Sequence, residues 1–141
     1  MLVRLMYASR AVPSISQDAL HGILRKSKTH NAGIGVTGVL CFSESIFIQV
    51  LEGGRNAVNE LYLRIARDPR HTQVVLLCYE EIAERRFTGW SMGQVNMSRL
   101  NAALLLKYSE TAVLDPYAVS GRVSMALFEE LVATASIMGQ G

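Results

Sequence analysis

Cysteine is scarce. The 141 residues contain two, Cys41 and Cys78, each inside an apolar strand-like run where a buried free thiol is the usual reading. A disulfide scaffold is therefore not what organises this chain. Histidine is nearly as rare, and His21, His30 and His71 form no ligand-spaced cluster with either cysteine, so no metal site is expected. No apolar run approaches the roughly 18 residues that suggest a membrane span. No stretch reads as a signal peptide, so a cytoplasmic location without membrane contact is expected. Charged residues make up only 18% and the net charge is +2, too little for a nucleic-acid footprint. No repeat or low-complexity linker is visible. What remains is a chain that is 50% hydrophobic and long enough to bury one sizeable core.

Alternation and periodicity order that chain into elements. "LVRLMYAS" (2–9) reads as a strand with Val3, Leu5 and Tyr7 on one face and Leu2, Arg4, Met6 and Ala8 on the other. A helix follows: Ser14 with Gln17 fits a capping box, Leu20, Ile23 and Leu24 form its stripe, and Gly33 is a plausible stop. "VTGVLCFSESIFIQVLEG" is a hairpin turning at Ser43-Glu44-Ser45. "AVNELYLRIARD" has Val58, Leu61, Tyr62 and Ile65 at helical spacing, with Pro69 as a barrier beyond it. "TQVVLLCYEEI" is a strand, and "GWSMGQV" a short fifth one.

The order β-α-β-β-α-β is that of a ferredoxin-like α+β fold, whose first and third strands are antiparallel neighbours in the sheet centre. The third strand is apolar on both faces, and two helices can cover only one. Leu104 to Leu106, with Leu127, Phe128, Leu131, Val132 and Ala135 at helical spacing, supply helices for the second face or for an oligomer interface.

One polar residue stands out. Gln49 lies inside "IFIQVLEG" (46–53), where an unpaired buried amide costs roughly 1–3 kcal/mol. It shares its face with Phe47 and Leu51, as Tyr7 does with Val3 and Leu5. A simple core hydrogen bond between Tyr7 and Gln49 is the plainest account. Asn31 at the end of the first helix and Arg70-His71 after the second converge on the same side, however, as a polar ligand site requires. "GIGVTG" (33–38) matches a dinucleotide fingerprint. It follows a helix and precedes a strand, the reverse of what pyrophosphate binding at a helix N-terminus needs. The run "RKSK" (25–28) reads as a solvated face near a helix C-terminus or as a contact for an anionic ligand group.

The motifs "YAS" (7–9), "HN" (30–31), "TGVL" (37–40), "FIQVLEG" (47–53), "RIARDPRH" (64–71) and "RRFTGWSM" (85–92) together resemble the BLUF domains, blue-light sensors that bind FAD. "LLLKYS" (104–109) is similar to the tail of short stand-alone members, which act by protein contact and not as enzymes. The resemblance implies a flavin-binding domain over residues 1–95 and a helical extension over 96–141. It implies an apolar slot between the two helices for the flavin ring, with Asn31 on its polar edge and Arg70 and His71 at the same end. Tyr7 and Gln49 would form the light-sensitive network, and Ser9 would support Tyr7. Ser27, Lys28 and His30 would neighbour the adenine and phosphates. Trp90 and Met92, two apart on a strand, would share one face, and either could approach the glutamine. Homo-oligomers are implied, with a response-regulator-like protein or a cyclic-dinucleotide enzyme as partner.

Two rivals use the same framework. An acylphosphatase-like enzyme could use Asn31 and Arg70 on an anionic substrate, but it needs a phosphate-cradling loop, and "ASRAVPS" (8–14) is not glycine-rich. A regulatory module could bind its ligand without light.

Overall fold

The computed structural model describes residues 1–12, 16–43, 45–134 and 137–138. Among these residues the elements run β1 (Leu2–Ala11), α1 (Gln17–Ile34), β2 (Thr37–Phe42), β3 (Ile46–Gly54), α2 (Arg55–Arg67), β4 (His71–Ile82), β5 (Gly93–Asn96), a 3-10 turn (Met97–Arg99), α3 (Ala102–Leu106) and α4 (Gly121–Ala133). The five strands form one sheet in the order β4-β1-β3-β2-β5. β1 and β3 are antiparallel neighbours in its centre, with Tyr7 opposite Gln49. This is the ferredoxin-like α+β arrangement, with β5 added parallel to β2.

Local chemistry sets the helix ends. The N-cap of α1 is Ser16, whose side chain accepts from the Ala19 N–H at 3.1 Å. Ser14, the expected cap, and the end of the "ASRAVPS" loop lie outside the described residues, as does Glu44 in the hairpin turn. The helix passes the expected stop at Gly33 and ends at Gly35, which takes φ 71° and donates its N–H to the Asn31 carbonyl. Only a residue free to enter the left-handed region closes a helix in that way at little cost.

Each face of the sheet has its own core. Val3, Leu5, Phe47 and Leu51 pack with Leu20 and Leu24 of α1 and Val58 and Leu61 of α2. On the far face Met6, Ile48 and Val50 meet Leu127, Phe128 and Leu131 of α4. Phe87 joins them, its ring edge-on to Phe128 with centroids 6.5 Å apart. Each such buried side chain contributes about 1.5–3 kcal/mol, so the β3 pattern, apolar on both sides, demands two layers of cover.

The far core also contains a charge pair that alternation alone did not single out. Arg4 and Glu52, register partners on β1 and β3, are 4% and 0% exposed. Arg4 Nε donates to Glu52 Oε2 at 2.8 Å, and its NH1 lies 2.7 Å from Glu80 Oε1.

Candidate functional site

On the helix side of the sheet, β1, β3, α1 and the end of α2 enclose a cavity of about 280 Å³. Tyr7 and Gln49 line it from the sheet, Ser27, His30 and Asn31 from α1, and Arg70 and His71 from the turn into β4. The α1 residues of the wall follow helical periodicity: Ile23, Lys26, Ser27, His30 and Asn31 share one face. Lys28 falls to the side of that face and is not among the lining residues. Lys26 takes the place expected for it, and Arg64 and Asp68 line the cavity as well. The same i, i+3, i+4 spacing, applied to α1 from Ile23 and to α2 from Leu61, would have found Lys26 and Arg64.

The sheet side carries a hydrogen-bonded chain. Tyr7 donates its hydroxyl to Gln49 Oε1, and Gln49 Nε2 donates to Met92 Sδ at 3.1 Å. Burial above all, then the neighbouring Tyr62 and Asp68, pushes the Tyr7 phenol far above its ordinary value, so the proton stays on its oxygen throughout the physiological range. Tyr62 lies tilted against it at 5.6 Å between centroids.

Trp90 and Met92 do not share a face. The expected strand over "GWSMGQV" begins only at Gly93, which leaves both residues in the bend before it. Met92 enters the helix-side core beside Tyr7, whereas Trp90 packs on the far-side core. Gly93 permits this crossing, because a Cβ there would sit 2.9 Å from the indole ring and 2.6 Å from Ile137. Met92 is thus the neighbour of the glutamine.

Ser9 reaches the cavity through His71: its hydroxyl lies 3.0 Å from Nδ1. Burial, with Arg70 adding to it, lowers the His71 pKa, while Asp68 opposes the shift. A histidine depressed in the folded state contributes stability above its unfolded pKa of about 6.5 and loses it as pH falls toward the folded value. Thermal unfolding followed from pH 7 down to pH 5 should therefore show a falling Tm, and His71→Asn should flatten that slope. An unchanged slope in the variant would remove His71 as its source.

The mouth of the cavity is cationic. Arg64 NH1 lies 3.0 Å from His30 Nε2, and Arg70 pairs with Asp68. That pairing holds the Asp68 carboxyl down at about 2.

This donor set suits a flat heteroaromatic ring with a polar edge. Asn31 Nδ2 donates to the Ser91 carbonyl at 3.2 Å, while its Oδ1 is buried with no partner and can accept from a ring N–H. Apolar Leu20, Ile23, Leu40, Phe47 and Leu61 supply the walls for the ring faces. The cavity is near the small end of ligand sites, roughly 300–1,000 Å³, so it suits the ring of a flavin while the cationic mouth suits the phosphates. Asn31 is the residue that would hold the ring's polar edge.

The structure overlays "BlsA photo-activated state" with a TM-score of 0.84 at 30% identity, covering 94% of this chain and 95% of that one. It overlays "BlrB - a BLUF protein, dark state structure" with a TM-score of 0.80 at 32% identity, covering 95% and 96%. Photoactivated adenylate cyclase subunit beta of Euglena longa is 38% identical over 92 residues, 64% of this chain but only 11% of that protein. Among the described residues no helix is long and apolar enough to cross a membrane. The family model described as BLUF, sensors of blue light using FAD, matches residues 2–93, and with that match the chain belongs to the BLUF family of FAD-using blue-light sensors.

Proposed function

We propose that light sensing in this chain rests on Tyr7 as donor and on Gln49 as the element that changes state. The observation that carries this reading is the chain from the Tyr7 O–H to Gln49 Oε1 and from Gln49 Nε2 to Met92 Sδ. A flavin excited by blue light supplies a strong oxidant. Among the described residues Tyr7 is the tyrosine that lines the cavity, and giving up an electron to that oxidant makes its O–H strongly acidic. The proton then has a hydrogen bond ready to leave along, toward Gln49 Oε1, and the return of electron and proton to Tyr7 leaves the bonds of the amide rearranged. A primary amide carries an acceptor at one end and a donor at the other, so rotation or tautomerisation gives Gln49 a second bonding pattern. A glutamate there would bring a charge into the slot, and a leucine would cut the chain.

The test is a visible spectrum in the dark and under blue light. The parent should bind FAD and show a small, reversible red shift of the flavin band. Tyr7→Phe, which keeps the ring and removes the O–H, should retain the flavin and lose the shift. A full shift in that variant would sink Tyr7 as donor, and a protein that takes up no flavin would sink the whole reading.

The signal leaves, on this reading, by protein contact and not by catalysis in this chain. Residues 1–95 act as the flavin-binding unit, and residues 96–141 as the cover that reports its state. Burial of Leu127, Phe128 and Leu131 at 0% exposure supports the tight seat of that cover. Leu106 and Val113, 52% and 66% exposed, support contact with another protein, whether a further copy of this chain or a response-regulator-like protein or cyclic-dinucleotide enzyme. The Euglena longa relative is a photoactivated adenylate cyclase subunit beta.

A further inference from the structure

One chain segment touches both faces of β3. Arg85 to Met92 runs from β4 toward β5, and its far end meets the light-sensitive side: the Ser91 carbonyl accepts from Asn31 and Met92 Sδ accepts from Gln49. Its near end is held on the opposite side by Glu52, three residues along β3 from Gln49. The Glu52 carboxylate accepts the Phe87 N–H at 2.7 Å and the Arg86 N–H at 3.0 and 3.1 Å. Between these ends the Trp90 carbonyl accepts from the Gly38 N–H at 2.9 Å.

The same near end contacts α4. The Arg86 side chain pairs with Glu129, and Phe87 meets Phe128 edge-on. The ion pair is half exposed and contributes little stability, but it ties the segment to one helix. We propose that Glu52 is a positioning residue for the Gln49 amide: it fixes Arg85–Met92 so that Met92 stays against that amide, and the fixed segment passes a change at Gln49 to α4. This rests on Gln49 being the element that changes state. The warrant for coupling is an element whose balance both sites bias, and this segment is bonded to Gln49 at one end and to α4 at the other.

The experiment compares the parent, Glu52→Gln and Gln49→Leu as flavin-loaded proteins. Glu52→Gln keeps the shape but puts an NH2 where an oxygen met Arg4 or the backbone N–H groups. Two readouts are taken: the rate of dark recovery of the red-shifted band, and amide hydrogen exchange in the dark. Loosening Met92 should change the recovery rate twofold or more, with faster exchange confined to residues 85–92. Recovery within twofold of the parent overturns the proposal. Faster exchange spread through β1, β3 and β4 also overturns it, since that is what a merely structural carboxylate would produce. If Glu52→Gln does not fold, Arg85→Ala takes its place under the same criteria, because Arg85 NH1 ties the segment to Thr37 at 3.3 Å without a buried charge. A parent with no light shift, or a Gln49→Leu protein that shifts normally, defeats the Tyr7–Gln49 reading instead, so the two failures are distinguishable.

Discussion

Gln49→Leu should leave a yellow, folded protein whose spectrum no longer responds to blue light. Leucine is close to glutamine in size and fits a strand whose neighbours Val50 and Ile48 are fully buried, so the core should not open. The substitution deletes the acceptor for Tyr7 and the donor to Met92 in one step. The Tyr7 hydroxyl is left buried and unpaired, at about 1–3 kcal/mol. Relief from burying the amide of Gln49, a residue 5% exposed, offsets part of that cost, so the net change in stability should be small. Flavin retention should persist, since Asn31 and the apolar walls are untouched. The light response has no such reserve, because among the described residues Gln49 alone bridges Tyr7 to Met92. Spectra recorded before and after illumination decide it: loss of the shift with the flavin still bound is expected, and a shift of parental size rules out the amide as the switch.

Much of this arrangement was legible because it follows from periods of 2 and 3.6. Alternation in "LVRLMYAS" and "FIQVLEG" placed Tyr7 and Gln49 on one face, and the split order of elements made their strands neighbours. The end of the first helix put Asn31 on the same side. What resisted reading depends on details finer than a period. Trp90 and Met92 separate because β5 begins only at Gly93, where a Cβ would lie 2.9 Å from the indole, a close approach that no pattern of polarity reveals. Lys28 and Lys26 differ by two residues, which turns a helical side chain through more than half a circle. Ser9 was expected to support Tyr7, but its hydroxyl lies against His71, a residue 62 positions away whose approach depends on the β1–β4 register and its two irregularities. The Arg4–Glu52 pair was within reach: opposite charges sat on the same face of two strands already placed side by side. Alternation sorts residues only as apolar or polar, and both stood in apolar company.

That pair should dominate the response of the fold to mutation. Arg4→Met should destabilise the protein by about 3–5 kcal/mol, the usual cost of removing one partner from a buried ion pair. The reason is what stays behind. Glu52 is 0% exposed and would keep only the Arg86 and Phe87 N–H groups, which satisfy its lone pairs without neutralising its charge. Glu80, half exposed, can turn to water and adds little. Replacing both partners by apolar residues of similar volume should cost far less, because no isolated charge remains, although the backbone N–H groups of the 85–92 segment would then lose their acceptor. Denaturant unfolding of the single variant and of an Arg4→Met, Glu52→Leu double variant measures the difference. A single variant within about 1 kcal/mol of the parent would mean that the pair is worth no more than a surface one. Where Arg4→Met still folds, it also separates stability from signalling: the Glu52 bonds to Arg86 and Phe87 survive, so the red shift and its recovery should stay close to those of the parent while the unfolding midpoint falls.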